Sequence, residues 1–222
     1  SSNFPEYLTE FLIKIGIKRQ LSYFAGKCWH THKYLPQKKI MESLAGNLLI
    51  AIPDLNDQNF SRTVILVVQH DDQGASGLVL NRPSEVTITQ VWDEVSAVPC
   101  DCQDLIYMGG PINGPLIALH QEFHSEETCV CSGCNFSVGR ESLDLLVNQS
   151  EAKFRVYSGY SGWGPGQLEQ ELEQGDWLTY PAAPHHAFNS PGGLWRQLCE
   201  QIGEDVLGRH VGKIMPTDSA MN

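Results

Sequence analysis

The chain has 222 residues, 41% hydrophobic and 18% charged, which excludes a disordered or coiled-coil protein and leaves room for one substantial core plus an appendage. No stretch reaches the roughly 20 apolar residues that a membrane-crossing helix needs, and the best candidate, Phe11 to Ile17, is broken by Lys14 and Gly16. Charge is split: residues 1–40 carry seven Lys/Arg and two Glu, net +5, and the remainder eight basic and 24 acidic residues, net −16, a body that repels polyphosphate and disfavours direct nucleic-acid binding.

The first segment places Phe4, Tyr7, Leu8, Phe11, Leu12 and Ile15 at helical spacing, followed by basic and aromatic residues without a clear period. A docking helix, a basic targeting or membrane-surface segment, and a stretch outside the natural protein all fit this pattern. The abrupt change from basic to acidic at Met41 predicts that translation starts there, and a native peptide spanning Lys33 to Gly46 would contradict it. The expected organisation is a basic extension over 1–40, one domain over 41–215 and a short tail over 216–222.

After Met41, the runs 48–52 and 63–69 read as strands, bounded by turn-forming PDLND and DDQG. Gly77 to Asn81 reads as a third strand in an antiparallel hairpin with the second. Thr87 to Val95 has Ile88, Val91, Trp92 and Val95 on one face and predicts a helix capped by Ser84 or Thr87. Strands follow at Leu105–Met108 and Pro115–His120, with Gly109, Gly110 and Pro111 reversing the backbone between them. Then come a helix over 141–147, a strand over 154–158, an acidic helix over 166–174 capped by Gly175, and a strand over 177–181. The last helix, 193–202, buries Leu194, Trp195, Leu198, Cys199 and Ile202. Strands and helices interleave irregularly, with hairpins outnumbering crossovers, which predicts an α+β fold.

Several motifs resemble sites and are weighed against structural readings. Gly159, Gly162, Gly164 and Gly166 lead into a helix, as in anion-cradling loops, but match neither the dinucleotide nor the Walker spacing. Glu169 and Glu171 in the first turns would repel phosphate, so a corner packing Trp163 is favoured. Gly159-Tyr-Ser161-Gly162-Trp163 has Trp where a nucleophile elbow needs its last glycine. His70, His120, His185 or His186 could still serve as the base of a dispersed His/Ser/acid hydrolase site. His185 and His186 would face opposite ways in an extended chain, and His120 with His124 lacks the glutamate of a zinc-protease helix. Cys28, His30 and His32 share a side if that stretch is extended.

Seven cysteines, an odd number with no secretory pattern, predict reduced thiols in a cytoplasmic compartment. Cys131-Ser-Gly-Cys134, with Cys129, Cys100 and Cys102, offers half of a zinc-knuckle pattern without a second C-x-x-C pair, so a zinc-stabilised module stands as an alternative to ordinary thiols on two loops.

From Leu44 to about Gly203 the chain resembles the AlgH/YqgE family of bacterial proteins. The resemblance is carried by LAGNLLIAIP at 44–53, FSRTV at 60–64, His70, GASGLVLNRP at 74–83, YMGGP at 107–111, Leu119-His120, and GYSGWGPGQLE at 159–169. It implies an α+β fold with a mixed, forked sheet, part of it closed into a small barrel and surrounded by helices. It implies no reaction or cofactor. The family's label as transcriptional regulators conflicts with direct DNA contact by a net −16 body. The expected function is therefore that of a cytoplasmic binding or regulatory protein without catalytic activity, contacting a protein or small molecule. Loops on a rigid scaffold carry function, which nominates Asn81, Arg82, Gly109, Gly110, His120, Tyr160, Trp163, Gln167 and Glu171 as ligand-binding residues, with no metal site.

Overall fold

A computed structural model describes residues 42–95, 100, 102–121, 128–138, 140–148 and 153–214. The expectations for residues 1–41 and 216–222, for the Cys28/His30/His32 group and for His124 lie outside the described residues.

Ten strands and five helices are described. The strands are β1 (Asn47–Ala51), β2 (Val64–Asp71), β3 (Gly74–Val79), β4 (Pro83–Thr87), β5 (Leu105–Met108), β6 (Ile112–His120), β7 (Thr128–Cys131), β8 (Cys134–Val138), β9 (Phe154–Trp163) and β10 (Trp177–Pro181). The helices are α1 (Ile88–Val95), α2 (Arg140–Val147), α3 (Gln167–Gln174), α4 (Pro184–Phe188) and α5 (Leu194–Ile214). No helix among the described residues is long and apolar enough to cross a membrane.

Eight strands form one antiparallel path, β10-β1-β2-β3-β9-β6-β8-β7, and curl into a half barrel; β4 and β5 branch from it, β5 lying parallel to β9. Alternation along β1 shows why the runs at 48–51 and 64–67 are apolar throughout. Leu48 and Ile50 face one core with Val64, Leu66 and Leu78, while Leu49 and Ala51 face another with Ile65, Val67 and Val79. The first core is closed by Ala187 of α4 and by Leu194 and Leu198 of α5, the second by Leu168 of α3. A third core holds Ile88 and Trp92 of α1 and Leu143 and Leu146 of α2 against Ala118 and Val156.

The β2–β3 hairpin forms as expected and starts earlier, with Asp71 opposite Gly74. Thr87 caps α1 reciprocally: Gln90 N–H meets Thr87 Oγ1 at 3.4 Å and Thr87 N–H meets Gln90 Oε1 at 2.9 Å. Gly175, with φ 82°, ends α3, its N–H reaching Leu172 O and that of Asp176 reaching Glu171 O. The expected apolar stripe of the last helix packs on the first core, in a helix that continues to Ile214.

Three expectations need correction. β9 does not stop at Ser158 but runs through Gly159 and Gly162 to Trp163, so these glycines are strand residues and not part of a loop. Strands β4, β7 and β8 and helix α4 lie where the sequence pattern showed none. Gly109 and Gly110 do reverse the chain, but not between neighbouring strands. One edge of β9 pairs with β6, and its other edge pairs with β5 at Tyr157–Ser158 and with β3 at Ser161–Trp163. The chain leaving β5 therefore steps across β9 to begin β6, and this crossing is the fork of the sheet.

Candidate functional site

The fork gathers five of the nine nominated residues. Gly109 is wedged between the diverging strands: its N–H meets Ser158 O at 2.9 Å, and its carbonyl accepts Val79 N–H at 2.9 Å and the buried Ser161 hydroxyl at 3.3 Å. A Cβ on Gly109 would collide with Gly159 O, and one on Gly110 with the Tyr160 peptide, so backbone crosses backbone at a separation that only glycine permits. Asn81 holds the neighbouring loop. Its Oδ1 accepts Val64 N–H at 3.0 Å and its amide donates to the carbonyl of Arg62 at 2.9 Å, a residue held at φ 55°. Arg82 donates to Ser61 O at 3.3 Å, and its carbonyl accepts Met108 N–H. Among the described residues Arg82 pairs with no carboxylate. Tyr160 is half-buried and faces Ile112 across the ladder. Met108 and Ile112, on either side of the crossing, are 47% and 39% exposed. The sequence reading missed these two because Met108 looked like an ordinary strand end and Ile112 like part of the turn, yet YMGGPI does place an apolar side chain on both sides of an obligatory glycine pair.

Trp163, Gln167 and Glu171 come together at a second place, where they are one another's partners. Glu171 Oε2 accepts both the Trp163 indole N–H at 2.8 Å and the Trp177 indole N–H at 2.9 Å, while Oε1 accepts the Gln167 amide at 2.9 Å. Gln167 Oε1 in turn accepts Gly164 N–H at 3.0 Å at the mouth of α3. Phe60 stacks on Trp163 at 6.4 Å and meets Trp177 edge-on at 5.7 Å. The glycine-rich helix entrance thus has its exposed amide taken by its own side chain, and a carboxylate stands behind it, an arrangement hostile to an added anion. The arrangement satisfies two indoles at the edge of a core.

His120, the ninth residue, is fully buried at the end of β6, opposite Asn135 and Phe154, remote from both groups in the ladder register.

A hydrolase site requires a histidine with one nitrogen free for a nucleophile. His70 does meet a carboxylate, with Nε2 2.6 Å from Glu169 Oε1. Its Nδ1 accepts the Leu44 backbone N–H at 2.9 Å, which fixes the proton on Nε2 and leaves no lone pair for a hydroxyl. Ser43 Oγ donates to the His70 carbonyl, not to the ring, and Ser161 is committed to Gly109. His70 is therefore a clamp joining the segment before β1 to β2 and α3.

The zinc alternative fails on geometry. Cys134 lies in the first core with Leu119 and Tyr157, whereas Cys100 lies in the third with Ala118 and Val156; alternate residues of β6 and β9 face opposite sides, so the sheet separates the two sets. Among the described residues no three His/Cys/Asp/Glu side chains could hold a metal.

One cleft of about 530 Å³ was not foreseen. Tyr180, His185, His186, Gln201, Ile202 and Asp205 contribute to its lining. His185 and His186 were expected to point apart in an extended chain, but they sit on α4 with ring centroids 4.0 Å apart. His186 Nδ1 accepts Ala183 N–H at 3.0 Å, and burial, then the neighbouring His185, lowers its pKa to about 4. The signal was available in Ala183-Pro184, which opens a helix with proline in its first turn.

Fold and sites define the class first: a forked α+β half barrel of the AlgH kind. The chain belongs to the AlgH-like family, whose model matches residues 48–207. It is 37% identical over 183 residues to a UPF0301 protein of Idiomarina loihiensis, covering 78% of this chain and 99% of that one, and 35% identical over 178 residues to one of Shewanella sp. (strain ANA-3), covering 75% and 95%. The solution structure of the AlgH protein from Pseudomonas aeruginosa is similar, with TM-score 0.61 and 31% identity over 76% of this chain and 90% of that one. A crystal structure from Corynebacterium diphtheriae follows at TM-score 0.56 and 26% identity, covering 69% and 84%.

Proposed function

We propose that this chain is a non-catalytic binding or regulatory protein and that the fork is its contact surface. The observation that carries the reading is the pairing of exposed apolar side chains, Met108 and Ile112, with a rigid backbone crossing beside Arg82 and Tyr160. Pre-ordered apolar surface can be buried without a further cost in loop ordering, and a guanidinium at its rim suits a planar carboxylate. The partner is accordingly a protein segment presenting apolar side chains and an acidic group. The −16 balance beyond residue 40 supports a partner other than nucleic acid, and the free cysteines support a reducing, cytoplasmic setting. The occupation of both His70 ring nitrogens, by Glu169 and by the Leu44 N–H, and the commitment of the Ser161 hydroxyl to Gly109 support the absence of catalysis.

The test compares the full chain with a Met108→Asp/Ile112→Asp variant shown by circular dichroism to be folded. Cross-linked partners from the source cell are identified and their affinities measured on purified components. The reading expects at least one partner whose affinity falls about 100-fold in the variant, as for loss of two central apolar contacts. Equal binding by both proteins contradicts it.

A second reading, favoured by the cleft volume, is a small ligand held between β10, α4 and α5, since pockets of roughly 300–1,000 Å³ accommodate such molecules. Chemical-shift changes confined to Tyr180, His186 and Gln201 during a metabolite screen would support it.

A further inference from the structure

Strands β7 and β8 form a hairpin whose last register pair is Cys131 opposite Cys134, closed by the exposed Ser132–Gly133 turn with Gly133 at φ 75°. Residues directly opposite in an antiparallel pair have Cα atoms about 4.5–5.5 Å apart, inside the roughly 4.4–6.8 Å that a disulfide spans. As directly opposed residues of the hairpin, Cys131 and Cys134 carry their thiols on the same face of it. Their settings differ. Cys134 is fully buried in the first core, whereas Cys131 is half-buried at the hairpin tip. A hydrogen bond from the Cys134 side chain lowers Cys131 to about 7 against the opposing pull of burial, and the same bond, with burial, pushes Cys134 upward. Cys102 and Cys199 are both raised by burial. Cys129 is exposed, and its thiol donates to the Cys131 carbonyl at 3.3 Å.

We propose that Cys131 and Cys134 are a redox-active dithiol, Cys131 attacking and Cys134 resolving, whose substrate class is low-molecular-weight disulfides. The Cys131 thiolate attacks one sulfur of the incoming disulfide, forming a mixed disulfide and expelling one thiolate. Capping removes the negative charge that held the Cys134 proton. Cys134 then attacks Cys131 Sγ, its proton passing to the second leaving thiolate. Overall, two protein thiols lose two electrons to form one disulfide, and one small disulfide gains them to become two thiols. An accessible thiol ionised near neutrality beside a buried partner is the arrangement such exchange requires.

The test exposes the full chain to excess oxidised glutathione at pH 7, quenches with acid, alkylates the remaining thiols and maps the cysteines by mass spectrometry. In the unaltered chain the expected product is a Cys131–Cys134 disulfide without bound glutathione. Cys134→Ala should stop at glutathione on Cys131, and Cys131→Ser should leave Cys134 unmodified. The rate of iodoacetamide alkylation at Cys131 should fall severalfold at pH 7 in Cys134→Ala, because losing the buried thiol beside it lowers the thiolate fraction. Cys129→Ser should behave as the unaltered chain does. Circular dichroism checks that Cys134→Ala is folded; if it is not, the mapping of the unaltered chain decides alone. Free thiols at both positions after exposure, or glutathione on Cys129 with Cys131 untouched, overturns the proposal.

Discussion

Strand β9 passes through two regions that treat their side chains in opposite ways. At its C-terminal end, Trp163 is tied to Trp177 and Gln167 through the Glu171 carboxylate and stacked on by Phe60, and polar atoms there are answered from within the chain. At the fork, around Gly159 and Tyr160, the backbone is closely packed while Met108 and Ile112 face solvent. The contrast separates appearance from role. Aromatic, amide and carboxylate side chains converging beside a glycine-rich helix start look like a binding site in sequence, yet they form an internally satisfied structural unit. Plain strand residues beside two glycines are the ones left exposed.

The sharpest way to break this contrast is at the crossing itself. Gly110→Ala places a Cβ within the Tyr160 peptide, and neither strand can retreat without opening the ladder, so the loss should exceed about 4 kcal/mol and yield little soluble folded protein. Glu171→Ala comes next: it strips the acceptor from two mostly buried indole N–H groups and should cost about 3 kcal/mol in urea unfolding. Asn81→Ala, which unties Val64 N–H and the Arg62 carbonyl, should cost about 2 kcal/mol by the same measurement. Met108→Asp/Ile112→Asp should stay within about 0.5 kcal/mol of the unaltered chain, as substitutions on an exposed surface do.

A pH effect tests the cleft. His186 binds its proton less readily in the folded chain, about 4, than in the unfolded one, about 6.5. Between these values the unfolded state holds more protons, so the His186 contribution is complete above the unfolded value and is lost as pH falls toward the folded one. The melting temperature should decline from pH 7 to pH 4.5, and His186→Gln should flatten part of that slope.

Much of the fold was legible because local and global preferences agree. Apolar alternation around Leu48–Ala51 and Val64–Val67, the Asp-Asp-Gln-Gly turn and the Gly175 cap each specify a structure without distant help. Gly159 and Gly162 misled because glycine ordinarily weakens a strand; Gly159 is required by the backbone crossing at Gly110 and Ile112, and Gly162 by the Ile112 side chain that lies over it. Strands β7 and β8 were obscured by cysteines whose spacing suggested metal chemistry before strand pairing. Eight of the nine nominated residues fall into two separate groups and His120 into neither, and the second group was only half legible because it is completed by Trp177, across the Gly175 turn, and by Phe60, over a hundred residues before Glu171 and packed on the two indoles.

The most direct measurement of the central claim is hydrogen exchange of the Trp163 and Trp177 indole N–H groups, followed by ¹H–¹⁵N NMR. If the Glu171 carboxylate is a structural acceptor, both protons exchange far more slowly than free indole and both resonances move in Glu171→Gln. Exchange at the free-indole rate, with signals indifferent to that substitution, would show an open site awaiting a ligand and contradict the account.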